Sequence, residues 1–83
     1  MQNIAEQLDA HIRIRYEIDE DDDDFTPDVH LFDYGYLDSV GATALIAHIE
    51  QTYGIAVTNQ DLMLHSMNTI NEIAAFIGTK IAR

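Results

Sequence analysis

Tyr34-Gly35-Tyr36-Leu37-Asp38-Ser39-Val40-Gly41 is the stretch from which the rest of the chain is read. It holds two of the four glycines and lies where an irregular segment gives way to a helical pattern. Gly35 can adopt positive φ and close the loop. Asp38 or Ser39 can then cap the helix, because a side-chain oxygen there accepts from the free N–H groups of the first turn. Ser39 therefore sits at a helix N-terminus, where those N–H groups and the macrodipole favour an anionic substituent, so its hydroxyl is well placed to bear a phosphate ester. As a hydrolytic nucleophile it fails. The elbow pattern G-x-S-x-G requires Gly two residues before the serine, and that residue is Leu37. His48 follows nine residues later, half a turn out of phase and roughly 13 Å along the axis, so it cannot act as the base. No catalytic residue is assigned.

Beyond this stretch, Gly54-Ile55-Ala56-Val57 and Thr69-Ile70-Asn71-Glu72-Ile73-Ala74-Ala75-Phe76-Ile77 stand at defined distances from Leu31-Phe32-Asp33-Tyr34-Gly35-Tyr36-Leu37-Asp38-Ser39-Val40. In order and spacing the three segments resemble the acyl carrier proteins over nearly the whole chain. The resemblance implies an all-α fold, a small four-helix bundle with a long first loop and a short third helix. It also implies that Ser39, with Asp38 and Gly35 ahead of it as site residues, carries a 4′-phosphopantetheine arm derived from coenzyme A, whose thiol holds cargo as a thioester. Leu-Asp-Ser-Val-Gly is closer to the discrete D-alanyl and aminoacyl carriers than to the fatty-acid carriers. The partners so implied are a phosphopantetheinyl transferase, a stand-alone adenylating acyl or aminoacyl ligase, and a downstream acceptor enzyme. Two other readings stand beside this one: a carrier for fatty-acid or polyketide extension, and an unmodified acidic interaction domain.

Composition sets the outer limits. Eighty-three residues allow a single domain, 1–83, with a modest core and no room for an enclosed catalytic pocket. With no cysteine there is neither a disulfide nor a thiolate metal site, and any thiol must come from an added group. A net charge of −11 with four basic residues argues against nucleic acid. No apolar run is long enough for a membrane span or signal peptide, so the expected location is cytoplasmic. A monomer is the expected state.

The remaining segments follow from their periodicity. Asn3 and Glu6 fit a capping box, and Ile4, Leu8 and Ile12 with Ala5 and Tyr16 make 4–16 an amphipathic helix. His11, Arg13 and Arg15 are expected on its wet side. Residues 17–30 hold seven acids within 17–24 and are expected to form a solvated, mobile loop. The run has neither the Gly nor the bidentate Glu of a calcium loop, so no metal site is assigned. Thr26-Pro27 predicts a brief helical turn. Val29, Leu31 and Phe32 are expected to pin the loop to the core.

On the helix that starts at Ser39, Ala42, Leu45, Ile46, Ile49 and Tyr53 share one face at 100° per residue, and this is the expected core side. Val40, Ala44, Ala47 and Gln51 share the opposite face, an expected docking stripe for a partner protein. Gly54 is placed to end this helix. Asn59 predicts the cap of a short helix at 60–64, with Leu62 and Met63 closing over the core. Thr69 and Glu72 predict the last helix, lined by Ile70, Ile73, Ala74 and Ile77 and fraying at Gly78 and Lys80.

Overall fold

In the computed structural model, which describes residues 3–81, four helices follow one another: α1 Ile4–Arg15, α2 Ser39–Tyr53, α3 Asn59–Leu64 and α4 Ile70–Ile81. The all-α four-helix arrangement with a long first loop and a short third helix is the one expected.

Each helix begins where a side chain can satisfy its first amides. The Asn3 side chain accepts from the Glu6 amide at 2.8 Å, opening α1. Its apolar stripe buries Leu8 and Ile12 completely, with Ile4, Ala5 and Tyr16 packed beside them. α1 stops at Tyr16. Glu17 then takes a left-handed φ of 53°, and the Ile18 amide reaches back to the Arg13 carbonyl at 2.9 Å. This six-residue closure usually employs glycine at the left-handed position, since a Cβ there is strained.

α4 supplies the opposite wall. Ile70, Ile73, Phe76 and Ile77 are buried, and α1 and α4 are the two helices whose backbones approach most closely. Phe76 belongs to this core face, although the repeat of isoleucines and alanine did not include it. Lys80 does not fray. Its ammonium meets Asp61 Oδ2 at 2.7 Å, tying the end of α4 to α3.

α2 runs antiparallel to α1, as three cross-contacts show. Tyr53 Oη donates to Gln7 Oε1 at 2.6 Å. The rings of His48 and His11 stack with centroids 3.6 Å apart and planes 5° from parallel. Tyr16 Oη donates to the Gly41 carbonyl at 3.0 Å. His11 is thus half-buried in the α1–α2 contact and not on a wet face; burial lowers its pKa, aided by repulsion from His48 and Arg15. α2 ends on Gly54 in the left-handed conformation, φ 64°, as the sequence leads one to expect.

The segment between α1 and α2 packs as a layer of its own. Phe25, Val29, Leu31 and Leu37 are buried in it, while Phe32 is left 37% exposed at the edge of the apolar space between α2 and α3 and is not part of the buried core. Thr26–Val29 forms a single hydrogen-bonded turn at 3.2 Å and not a helix. Arg13, expected on the surface, is instead the post around which the loop winds. Its guanidinium pairs with Asp9, donates to the carbonyls of Asp19 and Phe25, and lies 4.7 Å from the centre of the Phe25 ring. The far side of the loop is tied to the α4 entry, where the Leu31 amide donates to Asn68 O at 2.8 Å and the Asn71 amide to Pro27 O at 3.0 Å.

α3 is capped one residue earlier than Asn59. Thr58 and Asp61 form a reciprocal capping box at 3.1 and 3.0 Å. None of its residues is buried; Leu62, Met63 and Leu64 remain exposed, so Met63 does not close over the core. The six-residue helix is too short to present a full apolar stripe.

Candidate functional site: the α2 N-terminus and the grooves beside it

The loop reaches Ser39 through a set of closures that leave little freedom. Gly35 has φ 79°, and the Tyr36 and Leu37 amides both donate to the Leu31 carbonyl, at 2.9 and 3.1 Å. Leu37 is buried behind them, whereas Asp38, Ser39 and Val40 emerge into solvent. Tyr36 braces the turn from the side: its hydroxyl donates to Asp22 at 3.1 Å and its ring meets Phe25 edge-on at 5.0 Å. Desolvation raises the Tyr36 phenol, and the Asp22 carboxylate adds to the effect.

Of the two capping candidates the structure selects Asp38. Its backbone is extended, and its carboxylate accepts from the Gly41 amide at 2.7 Å while its carbonyl accepts from Ala42 at 2.8 Å. Ser39 is the first residue of the helix proper. Its carbonyl receives the Thr43 hydroxyl at 3.0 Å, and its own side chain is left at the exposed helix start. The earliest amides of a helix have no intrahelical acceptor, so this end of α2 offers donors and a positive pole to an anionic group on the serine.

Gly41 matters for a reason the sequence pattern did not disclose. A Cβ built on it would stand 3.3 Å from Asp38 Oδ1, Leu37 Cδ2 and Tyr16 Oη. The bare backbone thus allows the cap, the loop and α1 to converge on the first turn of α2. A glycine inside an otherwise helical run was the available signal.

The predicted division of α2 into two faces matches its burial. Leu45 and Ile49 are buried, with Ala42, Ile46 and Tyr53 half-buried. Val40, Ala44, Ala47 and Gln51 are all exposed, Val40 at 78%. On the core side, an apolar cavity of about 290 Å³ lies between α2 and α3, lined by residues that include Leu37, Leu45, Ile46, Leu62 and Ile73. On the other side the exposed stripe faces residues of α1 across a shallower groove.

A family model described as "Phosphopantetheine attachment site" matches residues 13–77. The match spans the end of α1, the whole loop, α2, α3 and most of α4, and so includes every element that positions Ser39. The chain belongs to this family of phosphopantetheine-bearing carrier domains, whose members hold a 4′-phosphopantetheine covalently on a serine. Such domains are in general carriers and not catalysts, and they meet a phosphopantetheinyl transferase and further partner enzymes. No curated protein matches the chain.

An exposed serine at the open end of a capped helix fits such a group. When bound, the arm supplies a thiol that this cysteine-free chain lacks. Among the described residues no three His, Asp or Glu side chains are gathered so as to hold a metal ion. Among the same residues no helix is long and apolar enough to cross a membrane.

Proposed function

We propose that Ser39 bears the 4′-phosphopantetheine arm and that the protein works as a stand-alone cytoplasmic carrier. On this reading it holds an acyl or aminoacyl group as a thioester, loaded by a separate adenylating enzyme and passed to an acceptor. The observation that carries the proposal is the Asp38-capped start of α2, which presents Ser39 at an exposed helix terminus inside the family match. The chain's own work is positional: it fixes the serine, favours the phosphate electrostatically, and tethers the cargo so that its concentration at a docked enzyme is high. Gly35 and Asp38 serve by shaping and capping the turn. The protein itself performs no catalysis.

Incubation with coenzyme A and a broad-range transferase, followed by intact-mass measurement, tests the assignment. Ser39→Ala should abolish the mass gain while changing stability by no more than about 0.5 kcal/mol, because Asp38 supplies the cap. Arm attachment to Ser66, or to the Ser39→Ala protein, would remove Ser39 from the proposal.

The stripe Val40, Ala44, Ala47 and Gln51 is proposed as the surface that the loading enzyme grips. Its exposure beside Ser39 supports this, as does the scarcity of acid there, with Asp38 and Glu50 the nearby carboxylates. A carboxylate introduced in the stripe would be desolvated without a partner when the enzyme docks. Ala47→Glu should therefore stay folded yet load at least tenfold more slowly, assayed on protein already carrying the arm. Unchanged loading would move the partner's footprint elsewhere.

One observation favours a second cargo class. The apolar cavity between α2 and α3 suits an aliphatic acyl chain better than a charged aminoacyl group. Comparing amide shifts of Leu45, Ile46 and Leu62 in aliphatic-acyl and aminoacyl forms decides between them: shifts confined to the aliphatic form favour the chain-extension role.

A further inference from the structure

Two adjoining clefts, of about 310 and 340 Å³, lie between α1 and α2 and share Arg15, Tyr16 and Ala44. The first opens beside Asp38 and Val40, the residues on either side of Ser39. The second ends at His11, His48 and Gln51. Together they make one groove that begins at the two neighbours of the serine and follows α2. The exposed stripe of α2 is one wall, and Arg15 and Tyr16 of the α1 end are the other.

Arg15 occupies the junction of the two clefts. The chain has four basic residues to set against fifteen acids. Arg13 is committed to Asp9 and to the loop carbonyls, and Lys80 to Asp61. Among the described residues Arg15 is the basic side chain that makes no ion pair; it rests over the Tyr16 ring, 5.6 Å from the centroid. A cation in this acidic protein thus lines the cleft beside Asp38 and Val40 with its guanidinium paired to no carboxylate among the described residues.

We infer that the phosphopantetheine arm, when not engaged by an enzyme, lies back along this groove with its phosphodiester on Arg15. The inference rests on the proposed attachment at Ser39. A phosphodiester adds negative charge to a chain already at −11, and a guanidinium matches phosphate oxygens in a planar, two-point arrangement. Beyond the phosphate the arm carries a dimethyl-substituted carbon, a hydroxyl and two amides. Val40, Ala44 and Ala47 offer apolar contact to the first of these, and His48 and Gln51 at the far end offer hydrogen-bonding groups to the amides. This mixed lining differs from the apolar cavity on the other side of α2. Because the groove wall is also the proposed docking stripe, a partner that grips the stripe lifts the arm out. The thiol is thereby released where it is needed.

The experiment compares isotope-labelled protein before and after arm attachment, with intact mass establishing that the arm is on Ser39. The expected result is a set of amide shifts at Ala44, Ala47 and His48, with a shift of the Arg15 side-chain Nε–H and of the phosphorus resonance. Arg15→Gln should lose the shifts at Ala47 and His48, and Arg15→Lys should keep part of them. Full attachment with changes confined to residues 38–41, or centred on Leu62 and Met67, would overturn the groove and leave Ser39 standing. No mass gain on Ser39 would overturn both.

Discussion

Two regions of this small protein invert the usual relation between regular structure and core. From Tyr16 to Asp38 the chain forms no helix, yet it buries Phe25, Val29, Leu31 and Leu37, four of the twelve buried apolar side chains among the described residues. α3 is a regular helix with a complete capping box, yet it buries none. The loop is held by burial of large side chains, a non-directional force that scales with apolar area. α3 is held by its cap, by one ion pair to Lys80 and by the partly covered Leu62 side chain that lines the cavity facing α2. A segment's hydrogen-bond pattern therefore says little about how firmly it is held, and the two regions should respond to different perturbations.

The largest expected difference is between deletions in the two regions. Leu31 is fully buried, so Leu31→Ala should cost about 2–5 kcal/mol by urea unfolding. Met63 is 85% exposed, and Met63→Ala should stay within about 0.5 kcal/mol. Comparable losses for the two would mean that α3 packs more tightly than its exposure shows.

Next in size is the post at Arg13. Arg13→Leu leaves the Asp19 and Phe25 carbonyls without their donor and should cost about 1–2 kcal/mol. Amide exchange should rise first over residues 18–25. If it rises uniformly across the chain, the loop is not a separately anchored layer.

The third test uses pH to single out α3. The hydrogen bond from Lys80, helped by the Thr58 amide, holds the Asp61 carboxyl down to about 2, below its ordinary 3.8. Its stabilisation is complete above the ordinary value and is lost as pH falls from there through about 2. Exchange protection of α3 should fall over that window while the amides of Leu31 and Leu37, held by the loop's apolar core, fall less. Lys80→Met should flatten the pH dependence of α3. An unchanged profile in that variant would show that the cap alone sets it.

The smallest effect concerns the acids of the loop. Asp22 accepts from Tyr36 and from the Asp24 amide, whereas Asp21, Asp23 and Asp24 stand exposed among like charges. Replacing those three with Asn should raise the melting temperature by a few degrees at low ionic strength and hardly at all at high salt, where the repulsion is screened. A fall in stability that deepens on adding a chelator would instead indicate a cation held by the run.

Helix starts were the most legible feature of the sequence, because a cap and an apolar period are local. Asn3 and Thr69 open α1 and α4 where the pattern placed them, the α2 cap falls on one of the two adjoining residues it offered, Gly54 closes α2 as expected, and both faces of α2 follow from 100° per residue. Arg13, His11 and Lys80 were misplaced because each is polar and lies where local rules assign solvent. What covers them is a loop or a helix distant in sequence. Phe25 was missed for the same reason: beside an acidic run, with no period around it, nothing local marks a core residue.

The sequence by itself determined that four capped helices form, that Ser39 opens the second, and that an apolar stripe begins beside it. These rest on hydrogen bonds and side-chain spacing within a few residues. Only the tertiary structure decided that Asp38 is the cap and that Gly41 lets Tyr16 close on α2. It also decided that the stripe is one wall of a groove whose other wall carries Arg15. Those depend on which segments meet, and that is set by how Leu8, Ile12, Leu31, Ile49, Ile70 and Ile77 fill one buried volume together.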